Sequence, residues 1–292
     1  DDVVDATAQT TGSLTVNTLA GFLGASDTLI GGTGPTNTLN ITADGGSVVF
    51  DSAATNLVIG DSNAKRDVFI RNVSLSGTSR LSVTSANGQL TGDSITPAIT
   101  GGGRYVAFRS TTNQIGSDTN NLPDIFVRDR TAETTERVSV TDGEANANGQ
   151  SNNPDISDDG RYVVFDSTGT NLVSGDTNSA TDVFMRDRTG GTTTRLSVST
   201  PEAQGTGASS NPSISGDADR IAFTSAAPNL SSFDTNGQTD AFVRDRSAGT
   251  TARQSVTSKG AETSGTSATP AISTDGKTTT FSTTATGLGV GD

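Results

Sequence analysis

The sequence predicts an all-β protein assembled from about five copies of one four-stranded antiparallel unit. Three observations carry this. The segments Ile41–Phe50, Ile99–Phe108, Ile156–Phe165, Ile214–Phe223 and Ile272–Phe281 share one pattern, and their phenylalanines lie 58, 57, 58 and 58 residues apart. The triplets Asp67-Val-Phe69, Asp124-Ile-Phe126, Asp182-Val-Phe184 and Asp240-Ala-Phe242 keep step with them, at 57, 58 and 58. A fixed period of this length marks stacked or radial copies of one supersecondary unit. Finally, no stretch shows helical spacing of apolar residues beyond a turn or so, whereas β-branched and aromatic residues fall in short alternating runs.

The third copy shows each element in order. Pro154-Asp-Ile156-Ser reads as a short first strand, and Asp158-Asp-Gly160 as an Asp-Gly turn of the kind that joins antiparallel strands. Arg161 to Ser167 alternates strong β formers and is the second strand. The polar stretch Gly169 to Asn178 is a loop. Asp182-Val-Phe-Met-Arg186 is a third strand and Thr193 to Val198 a fourth, joined through Asp187-Arg-Thr-Gly-Gly191. Four antiparallel strands in about 58 residues make one propeller blade with long loops.

The residues Ser157-x-Asp-Gly-Arg-Tyr-Val-x-Phe-x-Ser167, then Asn171-Leu-Val-x-Gly-Asp-Thr-Asn178, then Asp182-Val-Phe-x-Arg-Asp-Arg188 carry a resemblance. Together they resemble the TolB-type, WD-like β-propeller repeat. The match is clearest at 153–200, good at 96–141 and 211–257, and weaker at 41–84, where Asn72 replaces the Asp of the Arg-Asp turn. It spans roughly residues 41 to 292 and implies a β-propeller. Such blades serve periplasmic translocation, peptidase gating and many surface proteins, so the resemblance implies a fold and not a job.

The copies divide the propeller at about 41–98, 99–155, 156–213, 214–271 and a partial 272–292, after an N-terminal segment 1–40. The fifth copy holds only the first two strands. Asp2-Val-Val through Leu14-Thr-Val16 lies over Asp182-Val-Phe through Leu196-Ser-Val198, so the N-terminal strands are expected to complete the last blade. They do so either within one chain, removing an open sheet edge, or on a neighbouring subunit, which makes a head-to-tail contact able to propagate; the third reading is a fragment cut from a longer propeller. Asp27-Thr-Leu-Ile-Gly-Gly-Thr-Gly34 is similar to the glycine-rich calcium repeats of secreted proteins, but it occurs once and reads as an ordinary loop.

Net charge is −13, with no basic stripe, which argues against nucleic acid as a partner. No run of eighteen apolar residues occurs, so no membrane span is expected. Cysteine is absent, which leaves the redox compartment undetermined, and a start at Asp1 without Met suits a mature exported product or merely a boundary within a longer chain. An acidic, Thr-rich, Cys-free surface suits an extracellular or cell-surface protein. Nine of the eleven phenylalanines sit at the two repeat-locked positions, where they are expected to pack between sheets of adjacent blades.

The sharpest chemical pattern is Asp-[Ser/Thr]-Asn-x-x-x-Asp. It occurs as Asp61, Asn63, Asp67; Asp118, Asn120, Asp124; Asp176, Asn178, Asp182; and Asp234, Asn236, Asp240. Hard divalent ions take six to eight oxygens, and calcium loops place side-chain oxygens on alternate residues, so a structural calcium ion in each loop is one reading. The other is that Asp and Asn cap their own turns through side-chain to backbone hydrogen bonds. The loops lack the EF-hand's acidic fifth position, its glycine and its terminal Glu.

Arg128-Asp-Arg130, Arg186-Asp-Arg188 and Arg244-Asp-Arg246 recur with Arg137, Arg195 and Arg253, and read as a repeated Arg–carboxylate network. The absence of His and Cys removes His-assisted triads, thiol nucleophiles and His-bound zinc. A carboxylate pair remains available for glycoside hydrolysis. Yet most Asp are repeat-locked and Trp is absent, and only Phe22, Phe233, Tyr105 and Tyr162 remain to stack on sugars. The sequence thus points to a non-catalytic extracellular scaffolding propeller with calcium-stabilised loops, self-associating head-to-tail as a surface or filament subunit. The alternatives are a monomeric module binding a surface protein or glycan, and the propeller domain of a larger hydrolase.

Overall fold

The computed structural model describes residues 46–286 apart from 74, 117 and 233, residue 288, and the backbones of Ser13–Asn17 and Thr36–Ile41. Every regular element among the described residues is a strand: β1 (Ser13–Asn17), β2 (Thr36–Ile41), β3 (Ser47–Ser52), β4 (Asp67–Asn72), β5 (Thr78–Arg80), β6 (Ser94–Ile99), β7 (Tyr105–Ser110), β8 (Asp124–Asp129), β9 (Thr134–Arg137), β10 (Ser151–Ile156), β11 (Tyr162–Ser167), β12 (Asp182–Asp187), β13 (Thr192–Arg195), β14 (Ser209–Ile214), β15 (Arg220–Ser225), β16 (Asp240–Asp245), β17 (Thr250–Arg253), β18 (Ser267–Ile272) and β19 (Thr279–Thr283). Among the described residues no helix is long and apolar enough to cross a membrane.

The chain divides into two compact units, residues 1–138 and 139–292. The first holds sheets β1–β5 and β6–β9; the second holds β10–β13, β14–β17 and the pair β18–β19. The strands β2–β5, β6–β9, β10–β13 and β14–β17 are four antiparallel meanders, each the blade the repeat predicts.

The first strand of each blade begins earlier than the repeat pattern suggests. It ends at Ile99, Ile156, Ile214 or Ile272 and starts at Ser94, Ser151, Ser209 or Ser267, so boundaries at 99, 156, 214 and 272 cut a strand. The reason is a bulge. Register slips between Ile95 and Ala98, Asn152 and Asp155, Ser210 and Ser213, and Ala268 and Ala271. At each slip Thr96, Asn153, Asn211 or Thr269 takes a positive φ, between 45° and 54°, ahead of a proline. Proline has no N–H for a ladder and sits at bulges or edges, so alternation is broken where the pattern would otherwise be read.

The N-terminal strand is not paired with the last blade. β1 lies parallel beside β2, with Ser13 opposite Thr36 and Asn17 opposite Asn40, and makes a fifth strand of the first sheet. What lets β2 receive it is its own edge. At the register of Pro97, Pro154, Pro212 and Pro270 it carries Leu39, and it pairs with β3 without a bulge. Its edge keeps the hydrogen-bonding row that proline and bulge blunt elsewhere, and the connection 18–35 is long enough for a parallel crossover. Residues 1–12 and the glycine-rich 27–34 fall outside the described residues.

The phenylalanines pair across neighbouring strands of one sheet. Phe50 faces Phe69, Phe108 faces Phe126, Phe165 faces Phe184 and Phe223 faces Phe242, with ring centroids 5.8–6.0 Å apart. They also pack between sheets. In the first unit Phe108 and Phe126 meet Val49, Val68 and Ile70 of the preceding sheet; in the second Phe223 and Phe242 meet Val164, Val183 and Met185. Seven of the nine are fully buried, while Phe50 and Phe281 are partly exposed.

Candidate functional site

Each aspartate loop joins the second and third strands of a blade, and its last Asp is the first residue of the third strand. That Asp stands two residues before a core Phe, so both face the same side of the sheet. The Arg that ends the fourth strand is the ladder partner of that Phe and faces the same way. Strand alternation therefore brings two Asp and one Arg together beneath every loop.

In the third blade Arg195 Nη1 lies 3.6 Å from Asp176 Oδ1 and 3.8 Å from Asp182 Oδ2. Gln204 Nε2 donates to Asp176 Oδ1 (2.8 Å) and Asp182 Oδ2 (3.1 Å), while Ser197 Oγ donates to Asp182 Oδ1. Asn178 Nδ2 donates to Asp182 Oδ2 (3.1 Å) and Gly205 O (2.8 Å), and Asn178 Oδ1 accepts the Ala180 N–H. Burial pushes the Asp182 carboxyl up, against the hydrogen bonds from Ser197 and Gln204 and the charge of Arg195. The first blade repeats the arrangement with Arg80, Asp61, Asp67, Asn63, Gln89 and Ser82. In the second, Arg137 lies 3.6 Å from Asp118 and 3.4 Å from Asp124 and donates to Gly116 O at 2.6 Å. There Asn120 Oδ1 accepts the Leu122 N–H, and Asp118 Oδ1 accepts the Asn120 N–H.

The residues Asp61, Asn63, Asp67, Asp118, Asn120, Asp124, Asp176, Asn178 and Asp182 do not fit a metal ion as a set. In the first and third loops a glutamine amide as well as a guanidinium stands between the two carboxylates. In the first and third loops each Asn turns its amide, not its carbonyl, toward the carboxylate, and its oxygen is spent capping the turn. Asn63, Asn120 and Asn178 each cap their own turn through the side-chain oxygen.

The fourth loop differs at one atom. Glu262 occupies the register of Gln89 and Gln204 and accepts from Thr235 N (2.7 Å), Thr235 Oγ1 (2.7 Å) and Arg253 Nη1 (2.8 Å). It keeps the acceptor role of the glutamines but has no N–H to donate. Asp234, Asp240 and Glu262 each place a carboxylate oxygen within 4.8 Å of the others. The Thr235 hydroxyl and N–H, then Arg253, hold the Glu262 carboxyl down at about 2. Asn236 donates to Thr263 O (2.7 Å) and accepts from Gln238 N (2.7 Å). It is therefore a cap and not part of the acidic cluster.

Three further positions escape the pattern of conspicuous residues, although each recurs at the same period. They are the glutamine register (Gln89, Asn146, Gln204, Glu262), the serines Ser82, Ser139, Ser197 and Ser255, and the glycines Gly92, Gly149, Gly207 and Gly265. A methyl group on Gly149 would meet Gly169 N at 2.5 Å, so backbone approach demands glycine there. Aligning whole repeats rather than aspartates alone would have found all three.

The Arg-Asp-Arg turns are structural. Arg161 grips Asp187 through two hydrogen bonds (2.9 and 2.6 Å), and Arg104 grips Asp129 likewise (3.1 and 2.8 Å). Arg186 pairs with Glu144 and Arg244 with Glu202, in the hairpin of the preceding blade. Arg161 and Arg246 both lie over the Tyr162 ring, at 4.8 and 4.6 Å.

Asp155 is a half-buried tie between blades. Its oxygens accept Ile156 N (2.9 Å) and Ile214 N (3.0 Å), so it joins β10 to β14. Burial pushes its carboxyl up to about 6, against those hydrogen bonds. The folded state then holds a proton that the unfolded chain has released. Stability is expected to fall as pH rises from about 4 through about 6, by at most about 3 kcal/mol. Urea midpoints across that window should fall more steeply in the wild type than in Asp155→Asn, where the other raised carboxyls such as Asp182 still act; equal slopes would refute the assignment. Asp129 and Asp187, held down at about 2 by Arg104 and Arg161, act in the opposite sense and lower, losing stability only as pH falls below about 4.

The sequence matches no protein-family model and no curated protein. Among solved structures the chain is similar to TolB from Acinetobacter baumannii, with a TM-score of 0.50 at 15% identity over 86% of this chain and 51% of that one. The fold is that of a TolB-type β-propeller. This chain spans about half the length of that TolB. It is also similar to a putative TolB from Agrobacterium tumefaciens (TM-score 0.47, 15% identity, 74% of this chain and 63% of that one). A prolyl endopeptidase gives a TM-score of 0.47 at 10% identity, over 78% of this chain and 30% of that one. At these identities the likeness to TolB carries the fold alone.

Proposed function

We propose that this chain is a non-catalytic propeller module of the cell exterior, acting through shape and surface as a scaffold. The observation that carries this reading is the repetition of the buried polar networks. Arg80, Arg137, Arg195 and Arg253 each sit between two loop carboxylates, one set per blade. Catalytic sites separate the roles of like groups by giving them unlike environments. Here three of the four environments are variations on one Asp–Arg–Asp arrangement, with their charges absorbed in holding a loop to its sheet. The acidic surface keeps such a module soluble outside the cell.

Two experiments test the reading. Turnover of glycoside or peptide substrates that disappears in Asp234→Asn would overturn it, because that residue belongs to the asymmetric loop. Light scattering after size exclusion separates its two versions. Assemblies well above 29.5 kDa would support head-to-tail self-association as the scaffolding mode. A monomer with and without calcium would favour a module that binds a surface protein or glycan through its loops.

A further inference from the structure

We propose that Asp234, Asp240 and Glu262 form a single site for a hard divalent cation of the calcium class, confined to the fourth aspartate loop. Two independent observations meet there. One is the cluster itself, three carboxylates whose oxygens lie within 4.8 Å of one another. The other is Asp234, which is 8% exposed and has both carboxylate oxygens buried without a hydrogen-bond donor. Its nearest cation, Arg253 Nη1, stands 3.7 Å away, beyond hydrogen-bond reach, and is engaged with Glu262 at 2.8 Å and Asp240 at 3.2 Å.

The comparison inside the chain shows what is different. In the third loop Gln204 gives one amide hydrogen bond to Asp176 and another to Asp182, so the two carboxylates share one guanidinium and one neutral donor. In the fourth loop the same register holds Glu262. The donor is lost and a third negative charge is added against one arginine. Burial, with the charges of Asp240 and Glu262, pushes the Asp234 carboxyl up, while Arg253 opposes this. A buried carboxylate without a donor carries a desolvation penalty, and a cation beside it removes that penalty. Calcium suits an all-oxygen site of carboxylates completed by carbonyls and water. Asn236, occupied as a cap, is left out of the ligand set. The site is independent of the scaffold reading, since either can fail alone.

The test uses the full chain, stripped with chelator and titrated with calcium chloride alone, by calorimetry and by thermal unfolding. The wild type is expected to bind one equivalent, with a dissociation constant on the order of 10⁻⁴–10⁻³ M as in extracellular modules, and to melt higher with calcium. Glu262→Gln recreates the Gln204 arrangement. It should fold, melt at or above the calcium-free wild type, and lose both the bound equivalent and the shift. Gln204→Glu in the third loop should gain a second equivalent. No saturable binding up to about 10 mM calcium would overturn the proposal, as would binding that Glu262→Gln leaves unchanged.

Discussion

Arg137→Ala is expected to lower stability by about 3–5 kcal/mol, read as a fall in the urea midpoint. Arg137 is the cation shared by Asp118 and Asp124, and the three side chains are 3%, 0% and 0% exposed. Its second guanidinium nitrogen also holds Gly116 O at 2.6 Å, tying the loop to the end of the fourth strand. Removing it leaves two carboxylates buried and facing each other. The loss is therefore the penalty of stranded charge, not merely of one missing attraction. Removing the charges together separates these terms. The triple variant Asp118→Asn, Asp124→Asn, Arg137→Met should recover most of the stability, because replacing a buried ion cluster by neutral groups is often close to neutral. A loss below about 1 kcal/mol in Arg137→Ala would mean that the loop opens to water and the network behaves as a surface pair.

Phe242→Ala is expected to lower stability by about 3–5 kcal/mol, through lost transfer energy and the cavity left behind. Phe242 is fully buried, stacks on Phe223 at 5.9 Å, and packs against Val164, Val183 and Met185 of the preceding sheet. No small side chain spans that gap, so the cavity borders two sheets at once. The informative control is Phe281→Ala at the other repeat-locked Phe position. Phe281 is partly exposed and its sheet holds only β18 and β19 among the described residues. Its truncation should lower stability by less than about 1.5 kcal/mol. Equal losses at the two positions would show that burial is not what sets the cost.

Phe242 and Phe281 also show how far the repeat can be read. Period alone identifies both, together with strand identity, strand order and the Asp-Gly hairpin in which Gly160 N–H bonds Ser157 O at 2.8 Å. Those features are local or repeat at one step, so neighbouring copies confirm each other. Where the first strand begins was not legible, because the bulge before Pro97, Pro154, Pro212 and Pro270 interrupts alternation. Nor was the partner of β1. A strand's own composition says that it pairs but not with which edge: β2, with Leu39 in place of the recurrent proline, and β19, in a two-stranded sheet among the described residues, both offer one.

For the aspartate loops the division is sharper. The sequence by itself determined that two Asp and one Asn recur in every loop and that an Arg follows each on the fourth strand. Only the tertiary structure decided what these groups meet. Asp176 and Arg195 are 19 residues apart and Asp176 and Gln204 are 28 apart, yet the meander returns all three to one spot. There the guanidinium of Arg195 and the amide of Gln204 both face the two carboxylates, since buried polar groups in native folds find partners. In the fourth loop one oxygen replaces one NH2 at Glu262, leaving Asp234 without a donor and making that loop chemically distinct from the first and third.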